Sequence, residues 1–262
     1  MKNPEVQDQK EIMFVSALKD LMTNELQIIN MNEWYDRFFK NTKKEIHWKE
    51  GRSAYSIADF LMNKNGEKII SDSISNILNE EIILKTAYPE MEVRFDTYGH
   101  GREHDIGIWG ETISNKKIFV GVEAKVDESF NQTIIETYIE AKCKELNGVS
   151  TNACKRIDHI LKRCYKTVNP ECFNLRYQLL YSILGTIDAK DDKGYADISI
   201  MMVIVFKTDM YEKEKGIQNH LDYLRFIESF DSDKITSNNK LESYKLNINN
   251  KLLYSVYMNI EE

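Results

Sequence analysis

Asp105 lies in the run His104-Asp105-Ile106-Gly107-Ile108, and 17 residues separate it from Glu123 in Val120-Gly121-Val122-Glu123-Ala124-Lys125-Val126. Two carboxylates and a lysine beside apolar runs are the ingredients of a divalent-metal site. A strand has period two, so Glu123 and Lys125 point to one face while Val122, Ala124 and Val126 point to the other. Mg²⁺ takes octahedral oxygen coordination and keeps several waters, so Asp105, Glu123 and the backbone carbonyl of Ala124 would suffice once a phosphate joins. The ion would polarise a phosphoryl oxygen and lower the pKa of a water, while the Lys125 ammonium orients that water and meets the charge building on phosphate. Phosphodiester hydrolysis with Mg²⁺, or with Mn²⁺ in its place, is one reaction such a set could perform. A plainer reading has Asp105 capping a strand end and Glu123 paired with Lys125 at a sheet edge.

The two runs must be neighbours for this to work. If the chain reverses near Ser114-Asn115, an antiparallel register centred on Ser114 sets residue 105 opposite residue 123, because 105 plus 123 is twice 114. Glu-x-Lys is common in a chain with 29% charged residues, and a second copy stands at Glu140-Ala141-Lys142. Apolar positions 134, 135, 138, 139 and 146 around that copy follow helical spacing. Its two charges therefore diverge by roughly 200° around a helix axis, and it is expected to be a decoy.

Other polar residues near these runs carry two readings each. His100 and His104, in Tyr98-Gly99-His100-Gly101-Arg102-Glu103-His104, would form a substrate-contacting loop with His104 reaching the phosphate, or would be solvent-exposed or ordinarily hydrogen-bonded histidines. Glu128 would support the metal ligands from just outside them, or would be an acid favoured at a helix start. Residues 153 to 166 predict a helix whose buried stripe is Ile157, Ile160, Leu161 and Cys164. That leaves Lys155, Arg156, Lys162, Arg163 and Lys166 outside as a candidate nucleic-acid surface, or as a merely solvated face.

The elements that would hold these residues follow from periodicity. Residues 9 to 30, with Ile12, Val15, Leu18, Met22 and Leu26 on one stripe, predict a helix in an outer layer. Further helices are predicted from Ser53 and over Glu67 to Leu84. Then come strands at 92 to 98, 103 to 109 and 117 to 126, and helices near 133 to 146, 153 to 166 and 174 to 188. The apolar run from Ile198 to Phe206 predicts a central strand buried on both faces. A helix near 215 to 230 and a hairpin around Asn249-Asn250 complete the pattern. The expectation is an α/β protein of one domain over 1–262, with a core at about 50–206, an N-terminal helical layer at 1–49 and C-terminal additions at 207–262.

Composition narrows the classes. Three prolines and eleven glycines leave no flexible or polyproline linker. The first residues lack the apolar stretch of a secretory signal, and the run 198 to 206 is too short to span a bilayer, so a cytoplasmic protein with no membrane partner is expected. Cys143, Cys154, Cys164 and Cys172 lack C-x-x-C spacing and predict free thiols rather than disulfides or zinc. A net charge of −7 argues against coating nucleic acid through bulk positive charge, but phosphate contacts need only a local basic surface.

The element order and the Asp105, Glu123-Ala124-Lys125 pattern resemble the PD-(D/E)XK, or restriction-endonuclease-like, nuclease superfamily. The run from Val120 to Phe130 looks like a bacterial branch of it. The resemblance implies an αβββαβ core around a mixed sheet and a metal-dependent nuclease, with an endonuclease favoured and DNA favoured over RNA, in bacterial defence or genome maintenance. His104 stands where the family name has proline. The resemblance further implies that the helix before the last core strand brings Gln178 and Tyr181 near the site, although they are three residues apart rather than four. It also allows another acid from the helix before the sheet, for which Glu67, Glu80 and Glu81 are candidates. Cutting both strands of a duplex would call for a homodimer. Two other classes stay open: an idle member of the fold that binds nucleic acid or protein, and an unrelated helix-rich interaction protein whose strands mimic the motif.

Overall fold

The computed structural model describes residues 12–16 and 26–261. Its helices are α1 (Met31–Phe38), α2 (Ser53–Asn63), α3 (Gly66–Leu78), α4 (Ile134–Leu146), α5 (Ala153–Cys164), α6 (Tyr177–Ile187) and α7 (Lys213–Glu228). Its strands are β1 (Met13–Ser16), β2 (Leu26–Gln27), β3 (Ile82–Val93), β4 (Arg102–Thr112), β5 (Lys117–Lys125), β6 (Lys190–Asp191), β7 (Gly194–Tyr195), β8 (Ile198–Lys207), β9 (Asp231–Ser237), β10 (Leu241–Ile248) and β11 (Lys251–Glu261). Nine strands form one mixed sheet in the order β2-β1-β3-β4-β5-β8-β11-β10-β9, and β6 pairs only with β7. β3, β4 and β5 run antiparallel in succession, whereas β8 is parallel to both β5 and β11. None of the described helices is long and apolar enough to cross a membrane.

The period-two rule decides what each sheet face buries. Val120, Val122 and Ala124 of β5 join Ile200, Met202 and Ile204 of β8 in a core under α2 and α3. The alternate residues Met201, Val203 and Val205 join Ile160, Leu180 and Ile183 in a second core under α5 and α6. β8 is thus apolar from Ile200 to Phe206 because it is covered on both faces there, as its nearly continuous run predicts. The hairpin at Asn249-Asn250 is present, with φ of 49° and 70° and Ile248 opposite Lys251. Two successive left-handed residues match the twist of the strands they join, and asparagine tolerates that conformation.

Three expectations fail. Residues 12 to 16, read as part of a long helix, include strand β1, whose Met13 and Phe14 lie opposite Thr86 and Ala87 of β3. A sheet edge gives that apolar segment a partner that helical spacing alone cannot reveal, and Leu26 likewise falls in β2. Leu18 and Met22 of the expected stripe lie outside the described residues. The helix expected to reach Leu84 ends at Leu78, because Asn79 at φ 51° caps it and donates its N–H to Ser75. Ile82 and Leu84 then bury on β3, which begins ten residues before the expected Glu92 (92 − 82). Finally, residues 207–262 are not simple additions, since β11 lies inside the sheet against β8 and β9 forms one edge.

Candidate active site

Asp105 and Glu123 meet where β4 and β5 part. The ladder runs from Glu111 opposite Lys117 to Ile106 opposite Val122, a register in which 106 plus 122 is again twice 114. On the next step the chains separate, and Oδ2 of Asp105 accepts the N–H of Ala124 at 2.6 Å. Glu123 and Lys125 emerge on the α6 face, 5% and 6% exposed, with Lys125 Nζ donating to Glu123 Oε1 at 2.8 Å. Lys125 also sits 5.4 Å from the centroid of the Phe130 ring, which screens it from water on that side. Gln178, the second residue of α6, donates its amide to the same Glu123 oxygen at 2.5 Å. Arg102 Nη2 donates to Glu123 Oε2.

A kink in β3 and β4 aims these groups. Ile106 and Ile108 face the core under α2 and α3. His104, two residues earlier, sits instead against Phe119 on the opposite face, where a Cβ built on Gly121 would come within 2.7 Å of its ring. The alternation breaks at Asp105, opposite Glu90, which stands mid-strand at φ 52° directly after Pro89. A left-handed residue and a proline inside a strand mark an irregularity of the kind that re-aims a side chain beside a site. Glu90 acts on Asp105 electrostatically from there and is held by Lys44, which also pairs with Glu103.

The carboxylates are driven apart in acidity. Burial raises Asp105 well above the usual carboxylate range, and the charges of Glu123 and Glu90 add to this against Lys125 and the Ala124 N–H. Burial also acts on Glu123, but Lys125 and Arg102 overcome it and hold that carboxyl below its usual value. Glu90 is raised to about 7, mainly by burial and against the pull of Lys44. Neighbouring acids split in this way can divide the roles of proton acceptor and fixed charge.

The remaining expected residues scatter. His104 is 1% exposed, and neither ring nitrogen has a hydrogen-bond partner. Burial depresses its basicity, and it supports β4 beneath α6 rather than reaching a phosphate at the surface, which corrects the expectation for it. His100 is exposed on the 94–101 loop. Tyr181 does not touch the carboxylates; its hydroxyl donates to the His100 carbonyl at 2.9 Å and receives Arg156 at 3.1 Å. Glu128 takes Ser53 Oγ at 2.7 Å and the Val126 N–H at 2.9 Å, fastening the end of β5 to the start of α2. Glu80 instead accepts the N–H of Ser114, at the turn that lies at the far end of the β4–β5 hairpin from Asp105.

The basic face of α5 is smaller than expected. Arg156 makes a forked pair with Asp96 at 2.9 and 2.8 Å, and Arg163 makes one with Asp188. Both guanidiniums are committed to structure, which leaves Lys155, Lys162 and Lys166 exposed. Sequence reasoning missed Arg102, Glu90 and Lys44. Pro89, between Tyr88 and Glu90, was the available signal for the kink; nothing local marked Arg102 or Lys44, whose partners are distant in the chain.

The donor set suits a hard ion. Asp105, Glu123 and the Ala124 backbone supply oxygen, and the buried Oε1 of Gln178 beside them has no partner. No cluster of three or more His, Cys, Asp or Glu side chains able to hold a metal occurs among the described residues, so water and substrate oxygens would complete any coordination. No curated protein and no solved structure matches the chain. One family profile matches residues 27–262, which is most of the sequence, and the chain belongs to that family, described as a domain of unknown function, DUF6946.

Proposed function

We propose that the protein hydrolyses phosphodiester bonds of nucleic acid, DNA before RNA, in a divalent-metal-dependent reaction at a PD-(D/E)XK-type site. The observation that carries this reading is the convergence of Asp105, Glu123, Lys125 and Gln178 at one end of the β4–β5 hairpin. The chain order of α3, three strands, three helices and β8 supports a restriction-endonuclease-like core. When bound, Mg²⁺ or Mn²⁺ would supply Lewis-acid stabilisation of the phosphate charge and a more acidic water. Asp105 and Glu123 would hold it, with Ala124 fixed between them by the hydrogen bond from its N–H to Asp105. Lys125, anchored on Glu123 and Phe130, orients the attacking water and faces the negative charge that builds on the phosphate oxygens. Water oxygen bonds to phosphorus, one ester P–O bond breaks, and the water proton ends on the leaving oxygen. Gln178 keeps the Glu123 carboxylate in one orientation throughout.

One observation favours a second reading, an idle member of the fold that binds nucleic acid or protein. Both oxygens of Glu123 are engaged by protein groups, as in a structural ion-pair network. Incubating the protein and an Asp105→Ala, Lys125→Ala double variant with supercoiled and single-stranded DNA, in Mg²⁺ or Mn²⁺ and with a chelator control, separates the two. Nicking by the parent alone, abolished by chelator, is expected. Absence of cleavage together with absence of any metal-dependent stabilisation that the double variant loses would leave the idle fold.

A further inference from the structure

Arg102 stands in the way of the chemistry just described. It opens β4, it is 8% exposed, and it occupies Oε2 of Glu123 while Lys125 and Gln178 occupy Oε1. A divalent ion arriving alone would meet two buried cations, Arg102 and Lys125, in surroundings where solvent screens little. The stem of Arg102 is fixed: a Cβ built on Gly185 of α6 would lie 2.6 Å from its Cβ and 2.7 Å from its Cγ, so the helix backbone rests directly on it. The head is less tied, because Nε is buried without a partner. A guanidinium on a fixed stem can turn, and its planar fork fits two phosphate oxygens as well as it fits a carboxylate.

We propose that Arg102 is a gate on Glu123: it holds Oε2 in the free protein and passes to the phosphate of an arriving nucleic acid, so that divalent ion and phosphodiester bind together. This rests on the nuclease reading above. By linkage each ligand then strengthens the other by the same factor. Lys125 stays with Glu123 in both states, which separates its role from that of Arg102.

Titration calorimetry of Mn²⁺ into the full chain, with and without a phosphorothioate duplex that resists hydrolysis, tests the gate. The parent is expected to bind Mn²⁺ at least about tenfold more tightly with the duplex than without it. Arg102→Met, neutral and similar in length, should gain about tenfold in Mn²⁺ affinity without the duplex and lose most of the duplex effect. Arg102→Lys keeps the charge without the fork, so it should bind Mn²⁺ as weakly as the parent and still lose part of the duplex effect. Unchanged Mn²⁺ affinity in Arg102→Met, with Asp105→Ala still abolishing binding, overturns the gate and leaves the nuclease reading standing. If Arg102→Met does not fold, a full duplex effect in Arg102→Lys overturns it instead. Mn²⁺ binding by none of the proteins in either condition overturns the nuclease reading, and the gate with it.

Discussion

The tripeptide Glu-Ala-Lys occurs twice, on strand β5 and on helix α4, and the two copies behave as different chemical objects. At 123–125 the charged pair is buried, 6% and 7% exposed at the side chains, and the two residues bond each other at 2.8 Å. At 140–142 it is the alanine that is buried, while both charges stand in solvent. Glu140 turns instead to Lys144 at 2.6 Å and Lys142 to Glu145 at 2.8 Å, the four- and three-residue spacings of a helix. A separation of two puts side chains together only on a strand. The difference teaches that the motif is a statement about backbone period first and about residue types second.

Matched substitutions should widen that contrast. Glu123→Ala leaves Arg102 and Lys125 buried without their shared anion and should cost about 3–5 kcal/mol in a urea unfolding experiment. Glu140→Ala should leave the midpoint unchanged, and equal losses at the two positions would break the comparison. Next in size, Lys125→Met should slow metal-dependent nicking by roughly 100- to 1000-fold, the range for losing a group aimed at transition-state charge. Lys142→Met should nick at the parental rate. A parental rate in both variants would remove Lys125 from the chemistry.

Acidity gives a third, smaller effect. Glu90 moves from 4.5 to about 7 on folding, so between those values the folded protein holds a proton that the unfolded chain releases. Its contribution is therefore full below pH 4.5 and lost as pH rises through about 7. Glu90→Gln should remove that slope, seen as a parent-minus-variant difference of no more than roughly 3 kcal/mol between the two ends. A difference that grows with rising pH would reverse the sign and refute the assignment. Smallest of the four, Gln178→Leu deletes one hydrogen bond to Glu123 and should lower kcat about tenfold with KM little changed. A change confined to KM would assign Gln178 to substrate binding instead.

Much of this site was legible because it depends on local periodicity. The register sum that sets residue 105 against 123 follows from one turn and the alternation of two strands, and Ile106 opposite Val122 keeps it. Gln178 followed from the resemblance, and it reaches Glu123. What the sequence hid is what depends on distant partners. β1 looks helical until β3 offers it an edge, and Ile82 looks like one more turn of α3 until the left-handed Asn79 ends the helix. Arg102 carries no local sign that it will meet a glutamate 21 residues away, and Lys44 reaches Glu90 across 46 residues of chain. Arg156 and Arg163 look free on a helical wheel because the wheel omits Asp96 and Asp188.

The placement of β11 has a consequence for the newborn chain. β8 lies between β5 and β11, and its second neighbour is residues 251–261. While the ribosome is still making that stretch, β5 and β8 can pair, but one side of β8 remains an apolar strand with unmatched N–H and C=O groups. An interval of synthesis with such an edge open is when the chain is most prone to wrong pairing with its neighbours. Because Glu123 and Lys125 sit on β5 beside Val203 and Val205 of β8, the strand that carries the candidate site is fully braced only once residues 251–261 have emerged.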